Sequence, residues 1–208
     1  MNLPPATFAL LLLNVLISAY ALTGRPGLLD RWAFQPVRIL QNGEWHRMIT
    51  AGFIHTGWWH LLFNGITLYF FGPILERQLG TGSFLVLYFG AELAAHGWTL
   101  IRYRGDEGYA AVGASGAVTG VVFGFCLFYP LHKIYLFLIP IGIPAALFAV
   151  LFVWGSVAAA RQPERGGGLF GRIAHEAHIG GAIGGLALTI LLEPWSVLAF
   201  LDQIGGLL

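Results

Sequence analysis

The sequence Gly113-Ala114-Ser115-Gly116 opens an apolar run that continues to Tyr129. A hydroxyl group held between glycines at the head of a membrane-length segment is notable, because polar groups in hydrocarbon are costly to keep. The first N–H groups of a helix have no internal acceptors and attract negative charge. The stretch therefore predicts either a close helix-packing site, which small residues favour in membranes, or a nucleophile beside an anion-binding helix start.

Six apolar runs predict membrane-spanning helices around this stretch. Most are close to the roughly 20 residues that cross a hydrocarbon core of ~30 Å, and backbone hydrogen bonding in lipid requires such segments to be helical. We expect an all-α membrane protein, with residues 1–208 forming a single domain of six transmembrane helices. The runs are Ala6–Leu22, Phe53–Leu75, Ser83–Ile101, Val112–Tyr129, Ile134–Ala160 and Ile173–Leu192.

The composition excludes several classes of protein. Hydrophobic residues make up 57% of the chain and charged residues only 10%, with a mean hydropathy of +0.72, whereas a soluble domain is about 25% charged. The net charge of +1 provides no basic surface for nucleic acid. Cys126 is the only cysteine, so an intrachain disulfide is impossible.

The order of the spans places three polar residues on one side of the membrane. With six crossings, the odd-numbered connections share a face, and His60, Ser115 and His178 follow the first, third and fifth connections. From Ser115 to Phe128 a helix would extend about 21 Å at 1.5 Å per residue, which leaves Ser115 roughly 9 Å below one surface. We expect these residues to meet in a water-accessible pocket closed off from lipid.

The chemistry of these residues is complementary. The His178 imidazole can act as general base toward a serine hydroxyl and then as general acid, or it can be a packing residue. Gly181 and Gly185 share its helix face and would let a neighbouring helix approach closely. His60 and Asn64 are spaced i, i+4, so both can donate to a developing oxyanion, or they can form an interhelical hydrogen bond.

Taken together, these motifs resemble those of the rhomboid intramembrane serine proteases, in the same order and over nearly the whole chain. Trp45 and Arg47 resemble the tryptophan–arginine element of that family. The motifs are His60-x-x-x-Asn64, Gly72-x-x-x-Glu76-x-x-x-Gly80, Gly113-x-Ser115-Gly116 and Ala177-His178-x-Gly180-Gly181-x-x-x-Gly185.

The resemblance implies a rhomboid-like six-helix bundle and a serine endopeptidase that uses a dyad of Ser115 and His178. The oxyanion would be held by the Ser115 backbone N–H, the Asn64 amide and the His60 imidazole. Glu76 and Arg47 would anchor loops through hydrogen bonds. No cofactor or metal is implied; the partners would be the lipid bilayer and transmembrane protein substrates, which would enter past the fifth span and fifth connection. The oligomeric state is left open.

Two positions depart from the family pattern. The family commonly has an aromatic ring four residues after the serine, where it packs on the catalytic imidazole, and this chain has Thr119 there. Threonine cannot stack on a ring, so the orientation of His178 must come from another residue. Many relatives also have tryptophan next to the arginine, whereas here His46 separates Trp45 from Arg47.

The resemblance and the charge distribution disagree on orientation. The family implies a cytoplasmic N-terminus, and the compact layout resembles prokaryotic members, which places the protein in a prokaryotic inner membrane. Nine of the eleven Lys and Arg residues lie in or beside the odd-numbered connections, the exceptions being Arg77 and Lys133. The positive-inside rule predicts the opposite orientation; we follow the family.

Other histidines carry weaker predictions. His175, Glu176 and His178 lack the spacing of the zinc metalloproteases, so we expect no metal site. His55 lies five residues before His60, and we expect it at the mouth of the pocket.

Glu92 and His96, at i, i+4, can pair with each other. Two alternative functions remain open. One is a catalytically inactive relative that binds membrane clients. The other is a small transporter with Glu92, His96 and Glu193 as its polar pathway.

Overall fold

The predicted all-α architecture is confirmed over residues 2–25, 27–135, 141–160 and 175–206, which the computed structural model describes. The helices are α1 (Pro5–Thr23), α2 (Gly27–Trp32), α3 (Pro36–Asn42), α4 (Arg47–Thr50), α5 (Trp58–Leu79), α6 (Thr81–Tyr103), α7 (Ser115–Phe128), α8 (Ala145–Ala160), α9 (His175–Leu192) and α10 (Trp195–Gly205). By length and composition α1, α6 and α9 can each cross a membrane, while α7 and α8 are shorter apolar helices. The count of six spans stays a prediction.

The connection between α5 and α6 is shorter than predicted. The sequence placed it over Glu76–Gly82, but α5 continues to Leu79 and α6 begins at Thr81. The single residue between them, Gly80, has a φ of 78°, in the left-handed region that a residue with a Cβ rarely adopts.

The predicted fifth span, Ile134–Ala160, is wrong in its first half. Lys133–Tyr135 (β1) and Gly142–Pro144 (β2) form a two-stranded antiparallel sheet, with Lys133 opposite Pro144. Helix α8 begins only after Pro144, because proline favours extended backbone at the residue before it and blocks helical hydrogen bonding at its own nitrogen. The helix is 16 residues long, about 24 Å at 1.5 Å per residue.

The segments outside the long helices agree only partly with the sequence analysis. The first connection, between the first two predicted spans, contains the short helices α2, α3 and α4, followed by a 3-10 turn over Ala51–Phe53. Helix α10 was not predicted; its Gln203 side chain donates to the Phe128 carbonyl at 2.9 Å, which attaches it to the end of α7. The predicted fifth connection, Arg161–Gly171, lies outside the described residues.

Helix α7 is the centre of the core. Every one of its residues except Ser115 and Leu127 is buried, because other helices surround it: α5, α6 and α9 pack along it and α8 and α10 touch it. A helix that is apolar on all sides can be stable only in such a position. The half-buried exception at its first residue, Ser115, is therefore informative.

The segment that leads into α7 is held by backbone hydrogen bonds. Phe34 and Ala111 exchange two bonds, of 2.9 and 3.0 Å, and Gly113 N–H donates to the Ala51 carbonyl at 2.9 Å. These bonds join the first and third connections, which the sequence had placed on one side of the membrane. They fix the chain on both sides of the entry to α7.

Candidate active site

Ser115 is the first residue of α7, and the chain reaches it through a strained turn. Gly113 has a φ of 113°, a conformation that favours glycine. A Cβ at Gly113 would also lie 2.5 Å from Cε1 of the His60 ring. Glycine is thus required both by the backbone and by the imidazole that covers it, and this brings His60 over the approach to Ser115.

Two backbone N–H groups at the start of α7, those of Ser115 and Gly116, have no acceptor within the described part of the chain. The following amide, of Ala117, donates to Glu92 Oε2 at 2.7 Å. The unbonded donors therefore lie at the predicted nucleophile. Amides without acceptors at a helix start are the groups that stabilise an oxyanion in acyl transfer.

His55 was expected at the pocket mouth, and this prediction was wrong, because the residue is fully buried. Its Nε2 accepts the Ala114 N–H at 3.4 Å, which places the ring hydrogen on Nδ1, 2.9 Å from the Ser18 hydroxyl oxygen. Ser18 in turn donates to the Phe53 carbonyl at 3.1 Å. His55 therefore supports the turn before Ser115 from α1, a role that no sequence spacing indicated.

The glycines of α9 bring His178 to α7, as the sequence predicted. A Cβ at Gly181 would overlap the carbonyl group of Gly116, and one at Gly185 would overlap the backbone of Gly120. Glycines at positions 181 and 185 of α9 are required for this approach, which is typical of small-residue contacts between membrane helices. His178 lies one turn before these contacts, level with the start of α7.

A cavity of about 570 Å³ brings the predicted side chains together. Ser115, His178, His60 and Asn64 all line it, in agreement with the argument from span parity. Beyond them the cavity continues along α7 between α5 and α8, where its walls are mostly apolar. The other lining residues are Thr56, Phe63, Thr67, Ala110, Ala111, Val112, Val118, Thr119, Val122, Phe123, Phe148 and Phe152.

Ser115 and His178 share this cavity without a direct bond. Within the described ranges, no hydrogen bond joins the Ser115 hydroxyl to the His178 ring. Catalytic hydrogen bonds are often long in the free enzyme and form only with substrate bound. The arrangement is compatible with a dyad that closes on binding.

An aromatic neighbour of His178 comes from a different helix than the family pattern provides. The Phe152 ring of α8 lies 5.6 Å from the His178 ring, centroid to centroid, at an interplanar angle of 40°. Thr119 lines the same cavity and supplies no ring. The sequence analysis required another residue to orient His178, and Phe152 is in place to do so.

His60 and Asn64 occupy successive turns of α5 at the cavity wall. The Asn64 side-chain amide donates to the His60 carbonyl at 3.0 Å, which uses one of its two hydrogens. His60 Nδ1 lies 3.3 Å from the Thr56 hydroxyl. When the Thr56 hydroxyl donates to Nδ1, His60 carries its ring hydrogen on Nε2, and both side chains then keep a donor for a ligand in the cavity.

Arg47 holds the first connection together, in the structural role that the resemblance implied. Its guanidinium is buried and donates to Glu44 Oε2 at 2.6 Å and to the Asp30 and Ala33 carbonyls at 2.7 Å each. The Arg47 hydrogen bond holds the pKa of Glu44 below its usual value. The Trp45 side chain, in contrast, is 56% exposed and takes no part in this network.

Glu76 mainly holds the start of α1, since three of the four hydrogen bonds that it accepts come from there. Its carboxylate accepts the Ala6 N–H at 2.9 Å, the Thr7 N–H and hydroxyl at 2.7 Å each, and the Thr81 hydroxyl at 2.9 Å. A Cβ at Gly72 would lie 3.0 Å from Thr7 Cγ2, so this glycine lets α1 pack closely on α5. The motif with Gly72, Glu76 and Gly80 is structural.

The polar residues of the transporter alternative do not form a continuous path. Glu193 lies beyond the end of α9, where its carboxylate accepts the Trp195 indole N–H at 2.6 Å. Glu92 and His96 are buried and pair with each other, with His96 Nε2 3.5 Å from Glu92 Oε1. Neither lines the cavity.

Comparison with known proteins agrees with this fold. Residues 42–195 match the Rhomboid domain family. YdcA of Bacillus subtilis (strain 168) is 38% identical over 131 residues, which cover 62% of this chain and 64% of that relative. Rhomboid protease GluP of the same organism is 30% identical over 71% of this chain and 26% of its own length. Rhomboid protein 1, mitochondrial, of Saccharomyces cerevisiae is 31% identical over 67% of this chain and 39% of its own length.

The fold and the site define a multi-pass integral membrane protein whose cavity is lined by serine, histidine and asparagine side chains. The chain belongs to the rhomboid family. The alignments span 64% of the first of these relatives and 26% of the second.

Proposed function

We propose that this protein is an intramembrane serine endopeptidase, with Ser115 as nucleophile and His178 as general base. The observation that supports it best is the cavity in which both side chains meet two unbonded amides at the start of α7. Its substrates would be membrane proteins, cut in or near a transmembrane segment. The family relatives that carry protease names, such as GluP, support the reaction class.

The reaction follows from the groups in the cavity. The Ser115 oxygen attacks a peptide carbonyl carbon while His178 takes the hydroxyl proton. The resulting oxyanion accepts hydrogen bonds from the Ser115 and Gly116 amides, the Asn64 amide and the His60 ring, donors whose effect is large in a site shielded from bulk water. His178 then protonates the leaving amine, and water hydrolyses the acyl-enzyme by the reverse proton transfers.

The shape of the cavity supports a chain-like substrate. Polar groups cluster at the Ser115 end, while Val122, Phe123 and Phe148 line the far end. A peptide bond can therefore lie at the polar end while an apolar side chain occupies the rest. Phe152, on the helix that the resemblance assigns to the substrate gate, would orient His178 during the reaction.

The test is cleavage of a model transmembrane substrate by the purified protein in proteoliposomes. Wild type should cut the substrate and react with a fluorophosphonate probe. Ser115→Ala should lose both activities while retaining its thermal unfolding midpoint. Cleavage that survives in Ser115→Ala would exclude this mechanism.

The absence of a hydrogen bond between Ser115 and His178 favours one alternative, a catalytically inactive protein that binds membrane clients. Such a protein would capture a transmembrane peptide without cutting it and without reacting with the probe. The experiment above separates the two, since a binder without turnover would give crosslinking to substrate and no product.

We further propose a cytoplasmic N-terminus, with the Ser115 end of the cavity facing the other side of a prokaryotic inner membrane. The bacterial relatives support this placement, whereas the arginine distribution opposes it. A reporter fused to the C-terminus, which six crossings would return to the cytoplasm, decides between the two orientations.

A further inference from the structure

Glu92 is a buried carboxyl group in the middle of α6, and its position calls for an explanation. The residue is 3% exposed and does not line the cavity. Ionisable residues at membrane depth are expensive and are retained where they have a specific task. The hydrogen bond from Ala117 N–H to Glu92 Oε2, at 2.7 Å, connects this group directly to the helix that carries Ser115.

Two glycines leave room for the carboxyl group. A Cβ at Gly116 would lie 2.8 Å from Glu92 Oε2, and a Cβ at Gly52 would lie 2.7 Å from Oε1. The glycine after the nucleophile therefore faces α6. It admits the Glu92 carboxyl group to the first turn of α7.

The other side of Glu92 is held by His96. The His96 Nδ1 lies 2.8 Å from the Met48 carbonyl oxygen, and because a carbonyl only accepts, Nδ1 carries a hydrogen. The ring stacks on Phe34 with centroids 4.5 Å apart, so its orientation is fixed. Its Nε2 is then 3.5 Å from Glu92 Oε1, an oxygen that has no hydrogen-bond partner within the described residues.

We infer that Glu92 is a positioning residue, which binds the first turn of α7 through Ala117 N–H and so directs the free amides of Ser115 and Gly116 into the cavity. This inference rests on the proposed function, because it assigns those amides to the oxyanion. Without the bond, the Ala117 amide would be a third free donor and the turn would lose its hydrogen bond to α6. A helix start that can rotate no longer holds its donors on the oxyanion.

The contact requires an acceptor, not a charge. Only one carboxyl oxygen accepts an N–H, so a carboxamide can replace the group with its oxygen toward Ala117 and its nitrogen toward His96. Glu76 differs, because both of its oxygens accept hydrogen bonds. Glutamine should therefore be tolerated at position 92 and should be harmful at position 76, which makes the two positions a matched pair.

The first measurement is independent of activity. Hydrogen–deuterium exchange of the peptide that contains Ala117 should be slow in wild type and in Glu92→Gln. It should be at least about tenfold faster in Glu92→Leu and in Glu92→Asp, which has the charge but not the reach, since loss of a hydrogen bond of about 1.4 kcal/mol changes an opening equilibrium by that factor. Equal exchange in wild type, Glu92→Leu and Glu92→Asp would overturn the inference, whether or not the protein cleaves anything.

The second measurement is the kinetics of cleavage per probe-reactive site. Glu92→Asp and Glu92→Leu should lower kcat by about 10²-fold with little change in KM, as expected when an oxyanion donor is displaced. Glu92→Gln should stay close to wild type. Glu76→Gln should unfold at a lower temperature yet retain kcat per site.

A kcat as low in Glu92→Gln as in Glu92→Asp would contradict a role as acceptor. Failure of the proposed function looks different. In that case wild type itself gives no product, while the exchange experiment still reports on the contact with Ala117.

Discussion

The first turns of α1 and α7 have similar hydrogen bonds, but two backbone amides at the start of α7 have no acceptor within the described residues. In each, a glutamate from another helix binds the first turn: Glu76 at α1 and Glu92 at α7. At α1 the first residue, Pro5, has no N–H, and the next two amides donate to Glu76. The fourth, of Phe8, donates to the Pro4 carbonyl at 3.0 Å. Every donor in that turn is satisfied.

At α7 the glutamate accepts one backbone amide, whereas Glu76 accepts two at α1. Glu92 accepts only the Ala117 amide, and the Val118 amide donates to the Ala114 carbonyl at 2.9 Å. The amides of Ser115 and Gly116 have no acceptor within the described residues, and Ser115 lines the cavity. Under the proposed function, the closed start of α1 supports the fold, and the open start of α7 binds the oxyanion.

Loss of the proposed general base, His178, should have the largest effect on cleavage. His178→Ala removes the proton acceptor for Ser115, so we expect cleavage to fall by about 10⁴-fold or more. The unfolding temperature should be nearly unchanged, because the site is a cavity. The measurement is product formation together with labelling by the fluorophosphonate probe.

The control for this variant is His175→Ala. That ring lies 6.1 Å from His178 on the same helix and does not line the cavity. Similar losses in both variants would indicate a general disturbance of the start of α9 and not the removal of a base.

Removal of a side-chain donor tests whether the two free amides act alone. Asn64→Ala should lower kcat by about 10²–10³-fold with a small change in KM, the usual cost of one oxyanion-hole donor. The comparison variant is Thr67→Ala, one turn farther along the cavity wall, whose hydroxyl donates to the Phe63 carbonyl at 2.8 Å. If Thr67→Ala loses as much activity as Asn64→Ala, the oxyanion assignment of Asn64 is wrong.

Weakening the hydrogen bonds at the start of α1 should lower the stability of the protein and leave catalysis unchanged. Glu76→Gln turns one acceptor toward the Ala6 and Thr7 donors into a second donor, and leaving buried donors unpaired costs about 1–3 kcal/mol. We expect a clear drop in the unfolding midpoint and an unchanged kcat per probe-reactive molecule. A loss of kcat at full stability would mean that α1 influences the cavity directly.

The sequence predicted the site better than its surroundings. The glycines at 181 and 185 have a defined helical spacing, so a close neighbour for α9 could be foreseen, and α7 begins and ends at the residues used to estimate its length. The pairing of β1 with β2 was missed because the sequence from Ile134 to Leu138 is as apolar as a span, and hydropathy cannot separate an extended apolar segment from a helix. The roles of His55 and Glu92 could not be predicted from the sequence, because the residues that they bind lie 59 and 25 positions away in the chain.

The aromatic contact on His178 should have a smaller effect. Phe152→Leu keeps an apolar side chain but removes the ring, and an aromatic pair contributes about 0.5–1.5 kcal/mol beyond its buried area. We expect kcat to fall by up to about tenfold, the equivalent of that energy. Adding Thr119→Tyr, which places a ring where the family commonly has one, should restore part of the loss.

The matched variant for Phe152 is Phe148→Leu. Phe148 also lines the cavity, but the His178 ring contact is formed by Phe152. Adding Thr119→Tyr to Phe148→Leu should restore none of the lost kcat. Equal recovery of both variants would mean that the new ring acts by filling space and not by orienting the imidazole.

The smallest effect is expected far from both helix starts, at Glu44. Its pKa is lowered by the hydrogen bond from Arg47, so the native state binds a proton less readily than the unfolded chain. The contribution of this pair to stability is present above the ordinary pKa of about 4.5 and is lost as the pH falls through the lower native value. Glu44→Gln should therefore destabilise the protein slightly at neutral pH, and this difference should shrink as the pH is lowered through the native pKa of Glu44. A difference that stays constant down to acidic pH would contradict the assignment. Because Arg47 keeps its bonds to Asp30 and Ala33, the first connection should retain its fold, and kcat should be the same in the variant and in wild type at pH 7.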